Sequence, residues 1–243
     1  LRKTLLIILL FIITSSIEAS NNNYFLNIDS ITLSRDYYNE GQIYKLRSLY
    51  DSAFIFYDKA LSYFPNNTNA IEGKASIYYY IKKNYIKAIK EFDKLITIEP
   101  NNHEYYNKKS MCKIQLKDFN GALNDINKSI EINPNYSLSY KLRASIKINI
   151  NNDYLNANLD YTKALELDEL PSYYYDRGIN YLIIADETID KDKKNYYSRC
   201  GCNDLYKANI LINNKSENIN DILNQLNDEL KEKIISDYNI FCK

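Results

Sequence analysis

Three Pro-Asn segments recur at nearly constant spacing and constrain the fold more than any other feature: Pro65-Asn66-Asn67, Pro100-Asn101-Asn102 and Pro134-Asn135-Tyr136. Each follows an apolar stretch of helical period that contains Lys-Ala-Leu or a variant, at Lys59-Ala60-Leu61, Lys94-Leu95-Ile96 and Lys128-Ser129-Ile130. Lys163-Ala164-Leu165 continues the series. A unit this short cannot bury its apolar stripe alone, so successive copies must stack on one another. Proline ends one helix and leaves Asn to cap or turn before the next. With only 5 Gly and 4 Pro in 243 residues, there is little material for the turns of an all-β fold.

Laid in this register, the chain gives five copies. A large residue opens the first helix at Tyr37, Ile71, Tyr106, Tyr140 and Tyr174, and a small one follows four residues later at Gly41, Ala75, Ser110, Ala144 and Gly178. The second helix carries small residues at Ala53, Ala88, Ala122, Ala157 and Gly201. It then has a large one at Tyr57, Phe92, Ile126, Tyr161 and Leu205, followed by Ala60, Leu95, Ser129, Ala164 and Ala208. Small residues let paired helices approach at the short end of the usual ~8–10 Å, and large ones fill the grooves beside them. The pattern resembles the tetratricopeptide repeat (TPR) family, whose helix–turn–helix unit of about 34 residues carries W-x2-L-G-x2-Y, then A-x3-F, then P. The third and fourth copies depart from it at Lys113 and Lys147, where the family has an aromatic residue.

This resemblance implies an all-α fold, a right-handed superhelical solenoid of about five helix–turn–helix repeats with a C-terminal capping helix. The repeats span 34–67, 68–102, 103–136, 137–170 and 171–214, after a loosely ordered lead-in over 20–33. A cap over 215–243 is expected because Ile219, Ile222, Leu223, Leu226, Leu230 and Ile234 recur at helical spacing and a repeat stack needs a polar-backed end. The fifth copy holds a polar insertion at 185–195. Its Asp190-x-Asp192 does not make a calcium loop, which needs Gly at the sixth position and Glu at the twelfth where this chain has Asn195 and Gly201. A solvated turn or helix extension is the reading.

At the N-terminus, Arg2 and Lys3 precede an unbroken apolar run over 5–13 and a small, polar stretch over 14–20, the order of a secretory signal peptide. The run falls well short of the ~20 residues of a spanning helix. Cleavage is expected after Ala19, with Ser16 as the alternative, giving a periplasmic or secreted protein with no stable transmembrane span. At the other end, Gly201-Cys202-Asn203-Asp204-Leu205-Tyr206-Lys207-Ala208 and Phe241-Cys242-Lys243 resemble exported TPR proteins of Bacteroidetes-type bacteria. Those carry a G/A-C-x-D-x-x-K-A helix and a terminal Y-C-K. The resemblance implies a Cys202–Cys242 disulfide that staples the cap to repeat five, with Cys200–Cys242 as the alternative. Closing such a loop would stabilise the fold by about 4 kcal/mol on the chain-entropy account. Cys112 reads as a buried small hydrophobe, and Cys-x-Cys with one distant His is a poor zinc set.

Lys+Arg and Asp+Glu balance at 31 each, so no overall field draws the chain to nucleic acid or an anionic membrane. The single His, His103, opens a helix, and the glycines form no phosphate-binding loop. No catalytic constellation, cofactor, metal or small-molecule substrate is expected. In TPR arrays the first helix of each pair lines the concave surface. This places a partner groove at Arg35, Tyr38, Gln42, Lys45, Asn69, Glu72, Ser76, Tyr79, Glu104, Asn107, Met111, Lys141, Ser145 and Tyr175. The carboxylate clamp of TPR cochaperones is absent, since its positions read Tyr38 and Gln42, Glu72 and Ser76, then Asn107 and Met111. The expected function is a non-catalytic adaptor or scaffold that holds a protein or peptide in this groove. The alternative is a structural or envelope-organising component that acts through its convex face or by oligomerising.

Overall fold

The computed structural model describes residues 29–213, Ser236 and Cys242. The signal segment 1–19 lies outside the described residues, as does the capping helix apart from Ser236 and Cys242. The described chain is all-α: α1 (29–46), α2 (Tyr50–Tyr63), α3 (Thr68–Ser76, continued by a π-helical turn Ile77–Ile81), α4 (Tyr85–Ile98), α5 (His103–Gln115), α6 (Phe119–Ile132), α7 (Ser137–Asn151), α8 (Tyr154–Leu167), α9 (Pro171–Glu187) and α10 (Lys191–Asn213). They form five successive antiparallel pairs in two compact units divided between Pro100 and Asn101. Unit 1 holds α1–α4 and unit 2 holds α5–α10. This is the TPR-solenoid arrangement. Residues 29–33, read from the sequence as lead-in, are the first turns of α1. The repeat register marks where helices pack, not where winding begins.

The turns inside the first four pairs share one device. Ser48, Lys83, Lys117 and Asn152 each take positive φ, between 47° and 61°. At the end of α1 the Leu49 amide donates to the Tyr44 carbonyl at 2.9 Å, and at the end of α5 the Asp118 amide donates to Lys113 at 2.9 Å. These are the bonds of a Schellman closure, which satisfies carbonyls that the helix end would leave open. Between pairs, Asn67 accepts from the Ala70 amide and Asn102 from Glu104. Tyr136 occupies that place before α7 and makes no side-chain cap.

Two length irregularities are absorbed inside helices. Repeat two has one residue more than repeat one between its helix-A and helix-B small positions, and the surplus winds into the π-turn, where the Lys82 amide bonds back to Ile77. The insertion at 185–195 extends α9 to Glu187 and starts α10 at Lys191. Asp190 accepts from the Lys193 amide at 2.9 Å as that helix begins.

All twelve small residues assigned to packing are buried: Gly41, Ala53, Ala60, Ala75, Ala88, Ala122, Ala144, Ala157, Ala164, Gly178, Gly201 and Ala208. In unit 1 the ring of Tyr57, from α2, lies between the backbones of α1 and α3. A Cβ on Gly41 would stand 2.6 Å from its Cε1, and one on Gly73 2.7 Å from its Cζ. In unit 2, α9 and α10 touch backbone to backbone: a Cβ on Gly178 would meet the Gly201 carbonyl at 3.0 Å.

Gly41→Ala and Gly73→Ala should each destabilise unit 1 by about 1–3 kcal/mol through overpacking against Tyr57. Tyr57→Phe should leave stability unchanged or raise it by up to ~1 kcal/mol, because the Tyr57 hydroxyl is buried with no hydrogen-bond partner among the described residues. Urea unfolding of the three variants reads both effects, and a tolerated Gly73→Ala would contradict the sandwich.

Candidate functional site

In unit 1, the first-helix positions between the packing residues form one mixed polar and aromatic face. Arg35 and Asn69 are exposed, and Tyr38, Gln42, Lys45, Glu72, Ser76 and Tyr79 are half-buried. Lys45 Nζ on α1 donates to Ser76 Oγ on α3 at 3.2 Å, and Ser76 Oγ donates in turn to the Gly73 carbonyl at 2.8 Å. The Tyr38 ring stacks on Tyr57 at 6.0 Å between centroids, and Tyr79 meets Tyr80 and Tyr85 edge-on at 4.7 and 5.5 Å. Burial raises the Tyr57 hydroxyl to about pKa 12, aided by the neighbouring Tyr38. Each of these tyrosines is therefore anchored on one side by packing.

The corresponding positions in unit 2 divide. Glu104 is exposed at the start of α5, in an ion pair with Lys108 at 3.5 Å. Lys141 is half-exposed and paired with Asp176 at 3.2 Å, and Ser145 is half-buried. Met111 packs partly against the cluster of Ala122, Ile126, Leu142 and Ile146. Two residues assigned to the groove do not belong to it. Asn107 is 1% exposed: its amide nitrogen donates to Ser129 Oγ, to Ser139 Oγ at 2.8 Å and to the His103 carbonyl at 3.3 Å. The small hydroxyl side chains of α6 and α7 leave room for it and supply the partners that a buried amide requires. Tyr175 is 7% exposed, inside the cluster that contains Tyr140, Leu165, Tyr173 and Leu205. Burying an aromatic ring is favoured by ~1.5–3 kcal/mol where neighbouring helices leave space for it.

The two lysines that depart from the family pattern have a clear role. A carboxylate immediately precedes the large residue of helix B in each repeat of unit 2: Asp125, Asp160 and Asp204, all buried. Lys113 Nζ reaches Asp125 at 2.7 Å, and Lys147 Nζ reaches Asp160 at 2.7 Å beside the Arg143 fork at 2.6 and 3.0 Å. Arg177 grips Asp204 with two bonds of 2.7 and 2.9 Å and donates a third to Thr162 at 2.9 Å. Burial alone would lower the Arg177 pKa, but the hydrogen bonds and charge of Asp204 hold it above its ordinary value. The sequence signal was present as Asp before Ile126, Tyr161 and Leu205, with a base one or two turns along each partner helix.

The remaining candidates are structural. His103 Nε2 lies 3.2 Å from Asn133 Nδ2, and its ring meets Tyr136 edge-on at 4.7 Å, which ties the start of α5 to the end of α6. Cys112 is buried, and burial pushes its thiol up to about pKa 12. Cys202 and Cys242 form a disulfide with their Cα atoms 5.3 Å apart, and Cys200 is a free thiol. Among the described residues no group of His, Cys, Asp and Glu could hold a metal ion, and no helix is long and apolar enough to cross a membrane.

The tetratricopeptide repeat family matches residues 37–67 and 103–136. Heat shock protein STI1 of Saccharomyces cerevisiae is 40% identical over 90 residues, 37% of this chain and only 15% of the yeast protein's length. The crystal structure of MamA protein superposes with a TM-score of 0.62 at 17% identity, covering 76% of this chain and 96% of MamA. YrrB, a TPR protein with an unusual peptide-binding site, superposes at 0.55 with 19% identity over 69% of this chain and 84% of its own. At these identities the structural matches establish the fold.

Asp204→Asn should destabilise the protein by about 3 kcal/mol, because it leaves the half-buried Arg177 guanidinium without its counter-charge. The double variant Arg177→Met with Asp204→Leu should recover most of that loss. Thermal unfolding decides, and equal loss in the single and double variants would mean that packing rather than charge is what matters there.

Proposed function

We propose, from the tetratricopeptide-repeat matches at 37–67 and 103–136, that the chain is an exported, non-catalytic adaptor that holds an extended peptide segment against the first-helix faces of its repeats. The observation that carries the reading is the unit 1 face. Tyr38 and Tyr79 are held by aromatic neighbours, and Lys45 and Ser76 link α1 to α3 across the same face. Pre-positioned aromatic rings give large contact area at small ordering cost, and the polar groups beside them can meet a peptide backbone. In unit 2, Lys141, Ser145 and Met111 supply the accessible part of the face.

Export rests on the signal-like order of residues 1–20 and draws support from the Cys202–Cys242 disulfide, since such bonds persist mainly in oxidising compartments. The mature protein is expected to begin at Ser20, and N-terminal sequencing of the exported form checks it; a retained residue 1 would refute cleavage. For the groove, Tyr38→Ala, Tyr79→Ala and Lys141→Ala should each weaken capture of the partner identified by in-cell crosslinking and mass spectrometry. The expected loss is about 1–2 kcal/mol per variant, with helicity unchanged. Undiminished capture by all three variants would remove this face from consideration.

A further inference from the structure

The turns inside repeats one and two stand side by side in unit 1. Lys82 Nζ, just after the π-turn of α3, pairs with Asp51 Oδ1 at the start of α2 at 2.8 Å. Leu49, Tyr50 and Ile81 line an open cleft of about 630 Å³ between the two turns. Apolar side chains project from the same edge: Leu46 is 85% exposed and Tyr80 66%, with Leu49, Ile81 and Ile86 also exposed. The chain holds them there by two devices already described, the left-handed closures at Ser48 and Lys83 and the π-turn. The flanking charge is one-sided. Arg47, Lys82, Lys83 and Lys87 are exposed on this edge, and Asp51 is the sole acid in 45–52 and 80–87.

We propose that this edge of unit 1 docks onto an anionic lipid surface, with Leu46 and its apolar neighbours entering the interface and the cations facing the headgroups. Protruding leucine and isoleucine tips with a tyrosine at their margin and lysines around them match the layered chemistry of a membrane interface. The local excess of cations supplies the attraction to acidic headgroups. The cleft between the turns is open, so the apolar tips stand free of any enclosing wall. The chain's overall neutrality hides this local excess, and the surface lies on the turns, at the end of the first-helix face proposed for peptide, where Tyr79 meets Tyr80.

The test is flotation of the full chain with vesicles of phosphatidylcholine alone or with about one-third phosphatidylglycerol, at low and physiological salt. The parent should float with the anionic vesicles and more weakly as salt rises. The triple variant Arg47→Gln, Lys83→Asn, Lys87→Gln should lose about a hundredfold in affinity, at about fivefold per cation. Leu46→Ser should lose about tenfold. Circular dichroism should be unchanged in both, since the replaced side chains are exposed. Variants and parent share residues 1–19, so any contribution of that apolar run cancels. Variants that float like the parent, or a parent that prefers neither vesicle, would overturn the proposal. Binding to soluble polyglutamate without flotation would assign the edge to an acidic polypeptide and equally overturn it.

Discussion

Every repeat of unit 2 is organised around a buried carboxylate. Asp125, Asp160 and Asp204 sit one residue before the side chain that fills the gap between paired helices, and a charge in that position is tolerable only with a partner in reach. The partner comes from the first helix: Lys113, Arg143 with Lys147, and Arg177. Apolar packing is non-directional, and a pair of helices held by small residues alone could slide by a turn with modest loss. A two-pronged guanidinium contact has one geometry. The ion pair thus adds an axial requirement to a contact whose closeness is set by residues such as Gly178 and Gly201.

Unit 1 meets the same requirement with an aromatic ring. The residue before Tyr57 is Phe56, and the place of the carboxylate is taken by stacking, with Tyr44 on Phe56 at 4.9 Å. Tyr57 is then clamped between Gly41 and Gly73, which fixes three helices at once. Lys74 reaches across to Asp58 at 2.6 Å, but Asp58 is exposed, so that pair contributes little beside the ring. Repeat two is intermediate: its acid, Glu91, is buried and turns to Lys94 on its own helix at 2.8 Å.

The alternation of small and large residues was legible because it is a volume constraint, which spacing alone expresses. The Cys202–Cys242 pairing was likewise legible, through the resemblance of its flanking residues. Exposure was less so. Asn107 and Tyr175 occupy the spacing of a concave face, but whether such a position meets solvent depends on the size of residues in other helices, Ser129 and Ser139 for the one and the Tyr140 cluster for the other. Backbone adjustment was also hidden: the extra residue of repeat two reads as turn length and is in fact wound into Ile77–Ile81. Gly73 carries no mark in the repeat register, because its role is set by a ring sixteen residues earlier in the chain.

Charge shows how much a balanced composition can conceal. In unit 2 the first-helix cations Lys113, Arg143, Lys147 and Arg177 are committed to carboxylates inside the repeats, and Lys141 is held by Asp176. The cations committed inside the repeats have little attraction left for an outside partner, so recognition by the first-helix face of unit 2 falls to Ser145, Met111 and the half-exposed Lys141–Asp176 pair. Unit 1 distributes its cations differently. Its helices are interlocked by Tyr57 and its neighbours, and Arg47, Lys83 and Lys87 stand at the turn edge, exposed beside Leu46 and Ile86, with Lys87 also lying over the Tyr78 ring at 5.5 Å. One overall charge of zero therefore contains two arrangements: charges neutralised in the interior of one unit, and charges collected on one edge of the other. The two ways of interlocking helices, by a ring or by a carboxylate, thus go with different places where cations are available.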